Sequence, residues 1–320
     1  MKVRLGYVAI SMKLGKKVTS SSTVTFKNYN KLSTKEERIN KLKVVALSNL
    51  NDLEKILRYN VENNIHFYRI TSALIPLVTH PEVGYWGHRE IFKKDFEYIG
   101  RIINNNKIRI DTHPDEFNVL NSINPRVVAN TKINLICQAE WFEDLNYDMG
   151  KMILHVGGAT GGKDQGIKRF INNFNEYPEE ITSKLILEND DKIYTAKEVL
   201  KLCNVLKIPM VLDVHHHNCN NDGEKVEEFL ESIFNTWNRE KLPPKIHFSS
   251  PREFINDRKH ADYINPYDFI EFIEKAKILD RDFDVMLECK MKDEALYKLV
   301  SDIKRIKPEY KWLDKSTFLI

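Results

Sequence analysis

Short apolar, β-branched runs alternate with longer amphipathic segments along the whole chain. Strand-like runs lie at roughly 3–9, 66–71, 107–112, 151–156, 184–188, 209–214, 245–249 and 283–288. Segments of helical period follow each one. They begin after Ser33, near 89–104, at Asn124-Pro125, and near 165–174, 195–206, 222–237, 266–278 and 292–306. The string S-T-K-E-E places an N-cap beside first-turn acids, and Pro125 suits a first helical position. Eight strands alternating with eight helices predict an α/β fold: one (β/α)8 TIM-type barrel over residues 1–320, with long loops on the C-terminal face. A doubly wound open sheet is the alternative. It fits less well, because polar groups spread over strands 3 to 8 converge only if the sheet closes. No internal repeat or domain linker interrupts the pattern.

Composition agrees with this reading. A hydrophobic content of 42% in 320 residues supplies a barrel core and an outer helix ring. The N-terminus MKVRLGYVAISMK enters a strand-like run directly, and no apolar stretch approaches the ~20 residues of a membrane span. Cys137, Cys203, Cys219 and Cys289 are scattered without a C-x-x-C, which argues against disulfides or a zinc ribbon. A cytoplasmic, reduced, monomeric protein is expected, free of membrane and working beside the chromosome if its partner is DNA.

Charge changes the picture more. The net charge is only +3, yet the first 35 residues hold no acid and eight bases: Lys2, Arg4, Lys13, Lys16, Lys17, Lys27, Lys31 and Lys35. Most lie in the Ser/Thr-rich stretch 11–33, which follows the first strand and so belongs to the loop face. A basic loop there suits a polyanion such as nucleic acid; a plain solvated lysine loop is the alternative.

The chemistry sits where strands end. KIRIDTHP ends in His113, KMILHVGG in His155, KLILEND in Glu188, PMVLDVHHH in Asp213 and His216, KIHFSS in His247, and FDVMLEC in Glu288. One polar strand ending means little; six, all His or carboxylate and never Cys, describe a multinuclear site for borderline-to-hard divalent ions. A carboxylate pointing into a barrel mouth must be paired or metal-bound, and carboxylates can bridge two cations. Gly157-Gly158-Ala159-Thr160-Gly161-Gly162-Lys163 matches no Walker spacing and reads equally as a substrate loop or a plain strand-to-helix turn. Tyr85 and Trp86 are candidates for base stacking or for loop packing.

With those residues placed, the chain resembles the UV damage endonuclease family, a metal-dependent barrel related to endonuclease IV and, more distantly, to sugar-isomerase barrels. The resemblance covers essentially the whole chain. It rests on Leu5-Gly6-Tyr7, the Y-R-I-T-S strand (Tyr68–Ser72), H-P-D-E-F, H-V-G-G, L-E-N-D, D-x-H-H, K-I-H-F-S-S and the final strand ending in Glu288. It implies that His113, His155, Glu188, Asp213, His216, His247, His260 and Glu288 ligate two or three divalent ions, manganese first, with magnesium, cobalt or zinc as alternatives. His260 is implied by the family alone. Glu188, Glu288 and Lys245 are the expected catalytic groups, Lys245 at the family's carboxylated-lysine position. The family's lesion-probing Gln-Tyr pair falls at Glu116-Phe117, which lacks the amide and the hydroxyl. Tyr7, Glu116, Phe117, Lys13, Lys16 and Lys17 are the expected DNA or lesion contacts.

The implied activity is nicking of double-stranded DNA 5′ to UV photoproducts, cyclobutane pyrimidine dimers and 6-4 photoproducts, which starts an excision repair. Three alternatives remain open from the residues. An abasic-site endonuclease of the endonuclease IV type is nearest. A sugar isomerase or epimerase would explain the carboxylates but not the acid-free basic loop. A non-catalytic binding barrel would predict eroded ligands.

Overall fold

The computed structural model describes residues 1–15 and 17–320, so the expectation for Lys16 falls outside the described residues. Eight parallel strands carry the fold: β1 (Lys2–Tyr7), β2 (Phe67–Ile70), β3 (Arg109–Thr112), β4 (Lys151–His155), β5 (Leu185–Glu188), β6 (Met210–Asp213), β7 (Lys245–Phe248) and β8 (Phe283–Leu287). They pair in sequence order from β2 to β8, and β8 pairs with β1. One parallel bridge, Val8 to Arg69, joins β1 back to β2. That seam is narrow because β10 (Thr317–Leu319) pairs antiparallel with residues 2–4 of β1, and β9 (Lys311–Trp312) pairs with β10. The sequence pattern held no signal for this C-terminal hairpin.

Helices α1 (Phe26–Asn30), α2 (Lys35–Glu62), α3 (His88–Asn105), α4 (Pro125–Asp144), α5 (Lys163–Asn175), α6 (Glu179–Thr182), α7 (Ala196–Leu206), α8 (Val214–Cys219), α9 (Leu230–Asn235), α10 (Pro266–Ala276) and α11 (Lys292–Ile306) connect the strands. Local chemistry starts them where the sequence suggests. Thr34 and Glu37 form a reciprocal capping box on α2, and Asn124 caps α4 ahead of Pro125. Such caps contribute ~1 kcal/mol each. The helix expected over 222–237 is corrected. Asp213 caps α8 directly at the end of β6, so helix begins at Val214 and takes in the whole His run. The polar stretch Asn220–Gly223 then breaks it, leaving a 3-10 turn at Val226–Glu228 and the short α9. Among the described residues no helix is long and apolar enough to cross a membrane.

The main apolar core lies between the strands and the helix ring, whereas Ile153, Ile186, Val211 and Trp237 form a separate small cluster. Along each strand, side chains two apart face the same way. Inward positions therefore stack in layers from floor to mouth: Arg109, Asp111 and His113 on the β3 side, Lys151, Ile153 and His155 on β4, Asp284, Met286 and Glu288 on the β8 side. The floor is closed by Asp284, which accepts from Arg4 Nε at 2.5 Å and Nη2 at 2.7 Å, and from Arg109 Nη1 at 2.8 Å. Gly6 leaves room for the Phe67 ring, since a Cβ there would fall 2.4 Å from it.

Candidate metal centre

The top layer gathers the predicted ligands. Ladder register sets His155 beside Glu188 and Asp213 beside His247. Three groups of potential ligand atoms, each within 4.8 Å of one another, result: His113/His155/Glu188, Glu188/Asp213/His216 and Asp213/His247/Glu288. Glu188 belongs to the first two and Asp213 to the last two. Glu188 stands at the centre, with Oε2 3.2 Å from His113 Nε2 and 3.9 Å from His155 Nε2. Its Oε1 lies 2.9 Å from His247 Nδ1 and 3.5 Å from His216 Nδ1.

Burial makes this arrangement costly without counter-ions. Burial alone would raise the Glu188 carboxyl, but His247, His155 and the hydrogen bond from His113 hold it well below the usual range. Burial likewise opposes ionisation of Glu288, and His247 with Arg69 overcomes it. Asp213 is raised: burial dominates, His216 relieves it in part, and Glu188 and Glu288 add repulsion. His216 resists burial and rises to about 9 through Asp213 and Glu188. Three buried atoms here, His155 Nδ1, His247 Nδ1 and Asp213 Oδ2, have no hydrogen-bond partner; His247 Nδ1 is near Glu188 but out of line with it. Orphaned donors and acceptors facing shared carboxylates fit divalent ions, and all-His/carboxylate chemistry fits hard or borderline ones.

Three residues absent from the sequence reading organise this layer. Arg69 of β2 crosses the lumen, donating from Nη1 to Glu288 Oε1 at 2.7 Å, from Nε to Asp111 Oδ1 at 3.2 Å, and from Nη2 to His247 Nε2 at 2.6 Å. Asp111 in turn pairs with Lys245. Asn189 ties β5 to β6: it donates to Asp213 O and accepts from Asp213 N, both at 2.9 Å, and its carbonyl accepts from His216 Nδ1 at 2.9 Å. A carbonyl behind an imidazole fixes its tautomer, a recurrent feature of metal-ligating histidines. The signal for Arg69 and Asp111 was present: a charge inside a buried strand, two residues below a strand end.

Other expectations meet mixed outcomes. His260 reaches the edge of the centre, its ring 5.4 Å from His215 and 6.2 Å from His216, but it joins none of the three ligand groups. His215 and His217 are buried, so the His run is not a surface patch. Lys245 lies one layer below the candidate ligands. It is 0% exposed, its amine pKa is pushed down to about 8 by burial against the pull of Asp111, and it pairs with Asp111, which pairs in turn with Arg69. Tyr7 is fully buried in the core and donates to Asn60 Oδ1 at 2.7 Å.

Glu116 and Phe117 stand exposed on the loop after β3, Phe117 by 78%. Lys17 is exposed, and Lys13 lies 3.6 Å from Glu294. Their loop is hung on Asp293, which accepts from Ser11 Oγ and Met12 N at 2.6 Å each. The Gly-rich loop after β4 packs as a turn: Asn121 donates to Gly158 O at 2.6 Å, and a Cβ on Gly157, whose φ is +103°, would meet Asn121 Oδ1 at 2.5 Å.

Parallel strands whose C-terminal ends gather imidazoles and carboxylates define a TIM-type barrel built around a candidate metal centre. The chain belongs to the UV-endonuclease UvdE family, whose model matches residues 3–313. It is 38% identical over 309 residues to a UV DNA damage endonuclease of Bacillus cereus, covering 96% of each chain. A counterpart in Bacillus mycoides is 38% identical over 313 residues, again with 96% of each chain covered. Among solved structures, SacUVDE superposes with a TM-score of 0.83 at 32% identity, covering 95% of this chain and 99% of that one. Endonuclease IV from Thermus thermophilus shares the fold at a TM-score of 0.53 and 13% identity, covering 79% of this chain and 94% of its own.

Proposed function

We propose that this protein is a metal-dependent endonuclease that nicks double-stranded DNA 5′ to UV photoproducts, cyclobutane pyrimidine dimers and 6-4 photoproducts alike. Two or three divalent ions, manganese first, would be held by His113, His155, Glu188, Asp213, His216, His247 and Glu288, with His260 at the rim. The observation that carries the reading is the trio of ligand groups sharing Glu188 and Asp213 at the mouth of the barrel. Family membership supplies the substrate class. Bound there, such ions polarise a phosphodiester and lower the pKa of water toward neutrality.

The chain's own residues provide the rest. Depressed carboxyl pKa values keep Glu188 and Glu288 anionic throughout the pH range of duplex DNA. Arg69 and Asn189 hold the ligands in place, and Lys245 supports Arg69 through Asp111. Lys13 and Lys17, exposed on the loop after β1, would neutralise backbone phosphates, and the exposed Phe117 would fill the gap left by an extruded nucleotide. Hydrolysis adds a water oxygen to phosphorus and breaks the bond to O3′, leaving 3′-hydroxyl and 5′-phosphate ends. Lesion choice rests on cheaper extrusion of bases that already stack and pair poorly.

The test is nicking of UV-irradiated against undamaged supercoiled plasmid, with manganese and with chelator, alongside elemental analysis. Preferential, chelator-sensitive nicking and two or three ions per chain are expected. Equal nicking of both plasmids, or less than one ion per chain with no gain from added manganese, would overturn the reading.

A further inference from the structure

The loop after β7 presents the most exposed apolar pair beside the metal centre. Phe254 is 66% exposed and Ile255 86%, side by side. Single exposed apolar side chains are common on protein surfaces, but contiguous exposed ones are the kind that mark contact surfaces. This one is held rather than loose. Asp257 is buried and accepts from Glu253 N at 3.2 Å and Lys259 N at 3.1 Å. A bridge between Pro251 and His260 closes the base, Ala261 N donates to Ser250 O at 2.9 Å, and Cys219 Sγ approaches Asn256 O at 3.6 Å. The loop thus spends its one buried acid on holding two apolar side chains toward solvent.

Two further observations select the partner. Arg252, Arg258 and Lys259 are exposed beside the pair against one exposed acid in the same stretch, Glu253; Arg258 Nε lies 3.4 Å from Asp191, so the surface keeps a small basic excess that favours a polyanion. In the ring order β3 and β7 are four strands apart in eight, directly across the mouth. Phe117 stands on the β3 rim, Phe254 and Ile255 on the β7 rim, and the ligand groups lie between them. A duplex lying over the ligands meets both.

We propose that Phe254 and Ile255 form a second apolar wedge, which enters the base stack of the duplex on the β7 side of the centre. Phe and Ile are among the side chains that proteins insert between base steps, unstacking them and kinking the duplex. The flanking basic side chains hold phosphates without reading sequence, so the wedge senses how easily a step opens. With Phe117 opposite, the two rims bend damaged DNA into the mouth, where a weakened stack yields and an intact one resists. The inference rests on the DNA-cleaving reading above.

The test mixes manganese-loaded protein with a duplex carrying one cyclobutane dimer and 2-aminopurine at successive positions of the undamaged strand, following fluorescence by stopped flow before nicking. Wild type should show a rise at one or two positions. The double variant Phe254→Ser/Ile255→Ser should lose that rise and nick damaged plasmid about tenfold more slowly, as removal of one base–side-chain stack implies. Its metal content and melting temperature should match wild type. Phe254→Leu/Ile255→Leu, which keeps the apolar tip, should restore both signals. A serine variant with wild-type fluorescence and nicking overturns the wedge while leaving the nuclease reading intact. Wild-type protein that nicks no damaged plasmid overturns the nuclease reading, and the wedge with it.

Discussion

The floor and the mouth of the barrel are both built from buried charges, and they solve the problem oppositely. At the floor, Asp284 is fully enclosed and receives three hydrogen bonds from Arg4 and Arg109, which overcome the cost of burial and lower its pKa. Arg109 also donates to Pro243 O and lies 5.0 Å from the Trp237 ring centroid. That cluster is complete within the chain. At the mouth, Glu188, Asp213 and Glu288 are buried among imidazoles, with Arg69 as their cationic neighbour and three polar atoms left unpartnered. Buried charges that satisfy one another are architecture; buried charges that face an unfilled need are a site. Between them, Arg69 pairs with Asp111 and Asp111 with Lys245, and Arg69 joins this layer to Glu288 at the mouth.

The comparison can be broken at either end. Glu188→Gln should have the largest effect, because it removes the carboxylate shared by two ligand groups. Nicking should fall well beyond the ~10- to 100-fold typical of losing a partner behind a metal ligand, and elemental analysis should show fewer bound ions. Nicking within a few-fold of wild type would remove Glu188 from the site. Asp284→Asn should do the reverse. Leaving Arg4 and Arg109 facing a neutral amide should cost about 3–5 kcal/mol in chemical denaturation, with metal content per folded molecule unchanged. A loss of metal without a loss of stability would erase the division between floor and mouth.

Phe117→Ala sharpens the mouth itself. Removing ~1–3 kcal/mol of stacking should slow nicking of photoproducts roughly 5- to 150-fold with bound metal intact, whereas Glu116→Gln should preserve or raise activity. Normal nicking by Phe117→Ala, or loss of its metal, would make the ring a packing residue of the rim.

The two ends should also respond differently to pH. His216 has a folded-state pKa raised from 6.5 to about 9 by Asp213 and Glu188. In the metal-free protein its stabilising charge is fully present below 6.5 and lost as pH rises through 9. An ion needs the neutral imidazole, so manganese affinity measured by calorimetry should rise, up to about tenfold per pH unit, across that window. A flat profile would detach His216 from metal binding. The smallest effect is expected at the basic loop. Glutamine at Lys13 and Lys17 should weaken binding of damaged and undamaged DNA about equally. The salt slope of binding should become shallower by about one log unit for each phosphate that is no longer neutralised. An unchanged slope would return the loop to plain solvation.

Much of this was legible in the chain. The eight strands, the caps at Thr34 and Asn124, and the candidate ligands His113, His155, Glu188, Asp213, His216, His247 and Glu288 follow from local period and strand endings. A strand's two-residue alternation fixes which side chains share a face and at what height they stand. It does not say what stands opposite. The reach of Arg69 to Glu288, the pairing of Lys245 with Asp111, and the sharing of Glu188 and Asp213 all cross the lumen. They depend on closure and stagger of the barrel, which no local window records. Burial of Tyr7, capping of α8 by Asp213 and the position of Phe254 and Ile255 across from Phe117 are decided the same way. The sequence by itself determined which chemical groups stand at the top of each strand; the closed sheet decided which of them meet, because meeting depends on distances between segments remote along the chain.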